Sequence, residues 1–327
     1  MGKGFSVDLK AQVVTRTIAF FFAACALYAA TSLDWVQEVG GRADRNAAGD
    51  IIALYLRGTW VTDTELSDVG RLPKIQRLDL SHTRISDEGL QQLKTAKQIQ
   101  DLSLLYAEQI TDRGMTAIRG WQQLKSLNIR GTRISDGTLA ILGGLPQLES
   151  LDIAYTPITD NGLDALLPLT HLKQLAIGRS KLTKSALEVL RLLPTLESLD
   201  LGGPHPGPGG YRGNTGSPMD DDLPRAIAEL KQLRVLNLSY SQIRAEGLKI
   251  LAAADRINKL SLVGCPRVDD QALAELAKWK SLRYLDIQET AISERSVEAF
   301  EKAKSGIAIL RGPFPPSHAV APKAEER

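Results

Sequence analysis

Four histidines, two cysteines and an aspartate that returns about every 24 residues are the side chains of this 327-residue chain that could do chemistry. His82, His171, His205 and His318 could act as general bases or metal ligands, but none has a partner in register that would make a catalytic triad. Two cysteines, Cys25 and Cys265, are too few for a disulfide framework or a cysteine-based zinc site. Asp87, Asp112, Asp136 and Asp160 could form a carboxylate ladder for a metal. Each, however, directly precedes a segment of helical spacing, where a short acidic side chain caps exposed N–H groups and favours the positive end of the helix. Read this way the aspartates are structural, and neither an enzymatic constellation nor a cofactor nor a metal is expected.

The elements that carry these residues show best in Leu148 to His171. Leu148, Leu151 and Ile153, at spacings of three and two, suit a short strand with one apolar side. Leu163, Leu166 and Leu169 then fall at helical spacing. A period of two that gives way to one near 3.6 describes a strand, a turn and a helix. Such a unit cannot bury both faces alone, because ordering 24 residues costs as much as its few apolar side chains return. It needs copies on either side.

The copies are present. First positions fall at Ile51, Ile75, Ile99, Leu124, Leu148, Leu172, Leu196, Leu233, Ile257 and Leu282, with spacings of 24 or 25 residues and one interval of 37. A period this regular marks a solenoid. The motif resembles the leucine-rich repeat: LxxLxL at Ile75-Leu78-Leu80, Leu148-Leu151-Ile153 and Leu233-Leu236-Leu238, then Thr83, Thr132, Thr156 or Thr290, then Ile85-Ser86-Asp87 and its equivalents. Length and helical second half are similar to the ribonuclease-inhibitor-like and cysteine-containing classes, in a bacterial type of protein. Gly264 to Asp270 carries the likeness to the cysteine-containing class. The resemblance implies an α/β solenoid of about ten repeats plus a terminal strand over residues 51–312. A parallel sheet would line the concave face, with helices on the convex face. Positions one, four and six should point into the core, and the threonines should satisfy backbone groups at the turn. Gly89, Gly114 and Gly162 would let the helices approach the sheet, and Trp121 and Trp279 would pack on the convex side.

In such a scaffold function lies on exposed strand positions and on breaks in the period. Position five carries Asp79, Asp152, Asp200 and Asp286 together with Asn128 and Asn237. With 40 basic and 38 acidic side chains overall, this acidic centre line argues against nucleic acid. Tyr106, Tyr155 and Tyr240 share position eight, and Tyr284 stands at position three. Val235 and Val263 add apolar surface near the last two. The long interval carries an insertion, residues 202–222, with seven Gly, four Pro and Tyr211. Its glycines lack the Lys-Ser/Thr of a phosphate loop. The expected partner site is therefore Tyr211, Val235, Tyr240, Val263 and Tyr284, with Asp200 and Asp286 as polar fixings and Tyr106 and Tyr155 farther along the face.

The flanks differ from the repeats. Lys3, Lys10 and Arg16 precede an uncharged run from Thr17 to Leu33, which fits a signal peptide or membrane anchor over residues 1–35. Phe22-Ala23-Ala24-Cys25 resembles a lipobox, which would make Cys25 a lipidation site. Residues 36–50 read as a polar linker and residues 313–327 as a disordered tail. The expected protein is a non-enzymatic binding scaffold, exported or membrane-anchored, periplasmic or extracellular. Its partner would be a protein or a glycan, with membrane association only through the N-terminal segment. A cytoplasmic F-box-like adaptor for a ubiquitin ligase is the alternative. It would require an F-box before the repeats, where the sequence has an apolar run and a Gly-rich stretch.

Overall fold

The computed structural model describes residues 33–180, 182, 185–203, 222–252 and 255–312. The proposed signal or anchor run with Cys25, the insertion from residue 204 to 221 with Tyr211, and the tail from residue 313 lie outside the described residues.

Twelve strands form one open sheet in chain order. They are β1 (Arg42–Arg45), β2 (Ile51–Tyr55), β3 (Arg77–Asp79), β4 (Asp101–Ser103), β5 (Ser126–Asn128) and β6 (Ser150–Asp152). There follow β7 (Gln174–Ala176), β8 (Ser198–Asp200), β9 (Val235–Asn237), β10 (Lys259–Ser261), β11 (Tyr284–Asp286) and β12 (Ala308–Leu310). From β2 onward every pairing is parallel and every repeat keeps the same register, with Leu78 beside Leu102 and Leu151 beside Leu175. The insertion does not interrupt the ladder, since Ser198 pairs with Val235 and Asp200 with Asn237. The first, fourth and sixth positions are buried as expected, except that Leu201 is only partly buried; Leu148, Leu151 and Ile153 are each at most 1% exposed. Trp121 and Trp279 are also sealed in the core. The ninth-position hydroxyls do close the turn: Thr83, Thr132, Thr156 and Thr290 donate to the carbonyls of Leu80, Ile129, Ile153 and Ile287 at 2.6–2.8 Å.

Two sequence expectations about the helices need correction. In three of these helices the capping residue is the Ser or Thr before the aspartate: Ser86, Thr111 and Ser135 each accept the N–H two residues on, whereas Asp269 caps the helix at Asp270–Leu276. The aspartate is freed to reach across to the next repeat. Asp63 takes the N–H and hydroxyl of Ser86 at 2.8 and 2.5 Å, and Asp136 takes those of Thr159 at 2.8 and 2.6 Å. Asp270 does the same for Ser293. The glycines serve this bond rather than contact with the sheet. A Cβ on Gly89 would stand 2.1 Å from Asp63 Oδ1, and one on Gly162 would stand 2.6 Å from Asp136 Oδ1.

Residues 36–50 are not a linker. A helix at Asp34–Glu38 buries Val36, and β1 runs antiparallel to β2. Asn46 accepts the N–H groups of Ala48 and Asp50 to close the hairpin. The hairpin covers the sheet edge that the first repeat would otherwise expose. Its polar sequence hid it, because a strand with one solvated face and one neighbour carries little apolar pattern. At the opposite end β12 is the last described strand and leaves Leu310 44% exposed.

Candidate functional site

The open face of the sheet presents positions three and five of each repeat, and its rim presents positions seven to ten. Position eight has a feature no composition argument shows. At nine of the ten repeats it is left-handed, with φ between 53° and 70°. Gly58, Gly131 and Gly264 occupy three of these places, where glycine is free of steric cost. His82, Tyr106, Tyr155, Arg179, Tyr240 and Glu289 occupy the others, where a side chain costs about 1–2 kcal/mol. The turn requires the conformation, and six repeats accept the cost.

The glycines make room for their neighbours. A Cβ on Gly131 would lie 2.3 Å from the Tyr106 ring, and one on Gly264 would lie 2.2 Å from the Tyr240 ring. Because Gly131 is small, Tyr106 meets Tyr155 two repeats away, edge-on with centroids 6.3 Å apart. His82 stacks on the other side of Tyr106 at 5.3 Å. The guanidinium groups of Arg130 and Arg179 lie 5.2 and 5.3 Å from the Tyr155 ring centre. Burial pushes the Tyr155 hydroxyl above its ordinary range; Tyr106 pushes it the same way, and the two arginines offset only part of this.

Arg130 also ties the open face together. It donates to both carboxylate oxygens of Asp152, at 2.9 and 3.2 Å, and to Asp200, three repeats away, at 3.4 Å. All three side chains are no more than 31% exposed. Ala154 and Gly178, at position seven of the two intervening repeats, are buried and leave space for it. Burial raises the Asp200 carboxyl above its usual range; the Gly202 N–H and Arg130 oppose this without overcoming it. The position-five acids are partly committed to the backbone. Asp152, Asp200 and Asp286 accept the N–H two residues on, from Ala154, Gly202 and Gln288.

The expected site residues thus fall into separate groups. Tyr106 and Tyr155 meet each other beside Arg130 and Asp200. Tyr240 covers Gly264, and its N–H bonds the Val263 carbonyl. Tyr284 lies at position three under the ammonium of Lys259, 4.8 Å from the ring centre. Val235 shares that row, between Ser198 and Lys259. Sequence reasoning does not single out Arg130 or Arg179, and it takes His82 only as a lone base without a partner. The signal for His82 and Arg179 is a column holding glycine in three repeats, which marks a left-handed position; Arg130 stands one position earlier and carries no such mark. A cleft near the C-terminal end, lined by Lys280, Arg283 and Lys304, is no rival. Lys304 there donates to the carbonyls of Trp279, Leu276 and Ala277, and Arg283 to those of Lys280 and Leu282.

This architecture and motif define a leucine-rich-repeat protein, and the family model for the leucine-rich repeat matches residues 71–94, 145–167 and 231–252. No curated protein matches the chain. Among solved structures it is similar to an internalin of Listeria monocytogenes, at 17% identity and a TM-score of 0.48, over 78% of this chain and 68% of that one. A leucine-rich-repeat protein of Leptospira interrogans matches at 20% identity and a TM-score of 0.47, over 75% of this chain and 62% of that one. Internalin C2 of Listeria monocytogenes matches at 18% identity and a TM-score of 0.40, over 82% and 87%.

Proposed function

We propose that this chain is a non-catalytic scaffold that binds a protein partner on the open face of its sheet and the adjoining rim. The observation that carries the reading is the position-eight row. Six repeats place a large polar or aromatic side chain where glycine would relieve strain, and such strain concentrates where a surface is used. Tyrosine combines contact area with a hydroxyl at small entropic cost, which suits an interface anchor. The reading includes export or membrane anchoring, supported by the basic residues before the uncharged run from Thr17 to Leu33.

The test is a photo-crosslinking amino acid placed at Glu108 on the rim and, separately, at Gln92, an exposed residue of the helix Asp87–Gln92, in the full chain exposed to an extract of the cells that make it. Protease-sensitive adducts are expected from the rim position alone. Equal adducts from both positions, or rim adducts that resist protease as a glycan would, overturn the protein-binding reading. Recovery of the intact chain in the cytosol on fractionation overturns export.

A further inference from the structure

The rim of the first six repeats is far more basic than the chain as a whole. Among the described residues of positions seven to ten it holds Arg57, Arg84, Arg130, Arg133 and Arg179 against a single acid, Glu108. The chain's net charge is only +2. Arg130 is neutralised by Asp152 and Asp200. No carboxylate among the described residues pairs with Arg84, Arg133 or Arg179, and all three are exposed.

The arginines also alternate with aromatics. Repeats two, four and six present Arg84, Arg133 and Arg179, while repeats three and five present Tyr106 and Tyr155. Two of the guanidinium groups are oriented by rings: Arg84 lies 5.4 Å from the Trp60 ring centre and Arg179 lies 5.3 Å from that of Tyr155. A ring engages the face of a guanidinium and leaves its in-plane N–H fork open, which is the edge that grips a carboxylate with two bonds. Trp60 itself is 75% exposed.

Spacing selects the partner. Neighbouring strands lie about 4.8 Å apart, so Arg84 and Arg133, both at position ten of alternate repeats, recur about every 10 Å, while Arg179 continues the series two repeats on from position eight. An extended peptide advances about 3.3 Å per residue, so every third side chain also recurs about every 10 Å. Nucleic acid fits less well, because its denser phosphate charge would lie beside the carboxylates of Asp79, Asp152 and Asp200. We propose that the rim from Arg84 to Arg179 binds an extended peptide segment with an acidic residue at every third position, its intervening side chains resting on Tyr106 and Tyr155. This rests on the protein-binding reading above and specifies its partner.

The test is fluorescence anisotropy with the full chain and a labelled peptide of about ten residues, enough to span these repeats at about 3.3 Å per residue, carrying glutamate at every third position. Controls are the same composition with the glutamates contiguous, a lysine-for-glutamate version, and a single-stranded oligonucleotide. The spaced acidic peptide should bind at least tenfold more tightly than the contiguous or lysine peptide. Reversing Arg84→Glu, Arg133→Glu and Arg179→Glu together should weaken it at least tenfold. The same charge change on the helical side, Lys94→Glu, Lys97→Glu and Arg119→Glu, should weaken it less than threefold. Equal losses in the two variants, no preference for spaced glutamates, or tighter binding of the oligonucleotide would overturn the proposal. If the rim crosslinks persist undiminished in the rim variant, the scaffold reading stands and the acidic-peptide inference falls.

Discussion

Asp87 accepts the backbone N–H of Thr111 at 2.8 Å and its hydroxyl at 2.6 Å, so one carboxylate holds the start of the following repeat's helix. Gly114 lies against the same carboxylate, and a Cβ there would stand 2.3 Å from Oδ1. Asp87→Ala should lower global stability by about 1–3 kcal/mol, the cost of leaving buried donors unpaired. Gly114→Ala should cost a similar amount by displacing the carboxylate. Gly137→Ala is the contrast: its Cβ would stand 3.0 Å from Asp112 Oδ2 on an exposed helical residue. The helix preference for Ala over Gly, about 0.8–1 kcal/mol, should offset that contact and leave the variant near neutral. Urea denaturation followed by circular dichroism measures all three; equal losses at Gly114 and Gly137 would contradict the geometry.

Much of this fold is legible in the order of the amino acids. The period, the strand positions, the buried first, fourth and sixth residues and the role of Thr83, Thr132, Thr156 and Thr290 all follow from spacing within one repeat. What stays hidden lies between repeats. Asp87 and Thr111 are 24 residues apart, and only the stacking distance brings them together. A glycine such as Gly114 looks permissive in its own helix and is required only by its neighbour's side chain. The link from Arg130 to Asp200 across three repeats depends on the small residues between, which no local pattern marks.

The acids divide by pH response. Burial pushes Asp112 up, but bonds from Ser135 and Thr138 outweigh it and hold the carboxyl below its usual range. Bonds from the Ser293 N–H and hydroxyl, against some burial, lower Asp270 likewise. A depressed folded value stabilises the fold above the unfolded carboxylate range, near pH 4, and that contribution is lost as pH falls through the folded value. Asp200 has the opposite sign: its raised value makes the ionised form unfavourable to the fold at neutral pH, a penalty relieved on acidification. Asp112→Asn should therefore lower the urea midpoint at pH 7. Asp200→Asn should raise it, with the gain shrinking toward pH 4. A loss on Asp200→Asn at pH 7 would show that the Arg130 bond outweighs the burial.

The left-handed row gives a comparison internal to one residue. Tyr155→Ala removes the ring but keeps the strained backbone, whereas Tyr155→Gly removes both. The Gly variant should be more stable than the Ala variant by about 1 kcal/mol, and both should lose rim crosslinking. At Gly131, with φ of 70° and the Tyr106 ring against it, substitution by Ala should cost more than 1 kcal/mol. Thermal melts rank these variants, and a Tyr155→Gly protein no more stable than Tyr155→Ala would remove the case for strain.

Cys265 fills the ninth-position slot where other repeats carry Thr. It is buried, and its thiol donates to the Leu238 carbonyl at 3.2 Å. Burial raises the thiol above its ordinary range, although Ser241 pulls the other way. In a Cys25→Ser background the remaining thiol should resist a disulfide-exchange reagent at pH 8 while folded and react at once in urea. Rapid reaction in the native state would mean that the ninth repeat opens readily.

The carboxylates of Asp63, Asp87, Asp112, Asp136 and Asp270 all serve the repeat that follows, never the one before. Synthesis proceeds in the same sense. At these five junctions, a repeat that emerged from the ribosome after its neighbour had folded would meet its acceptor already in place.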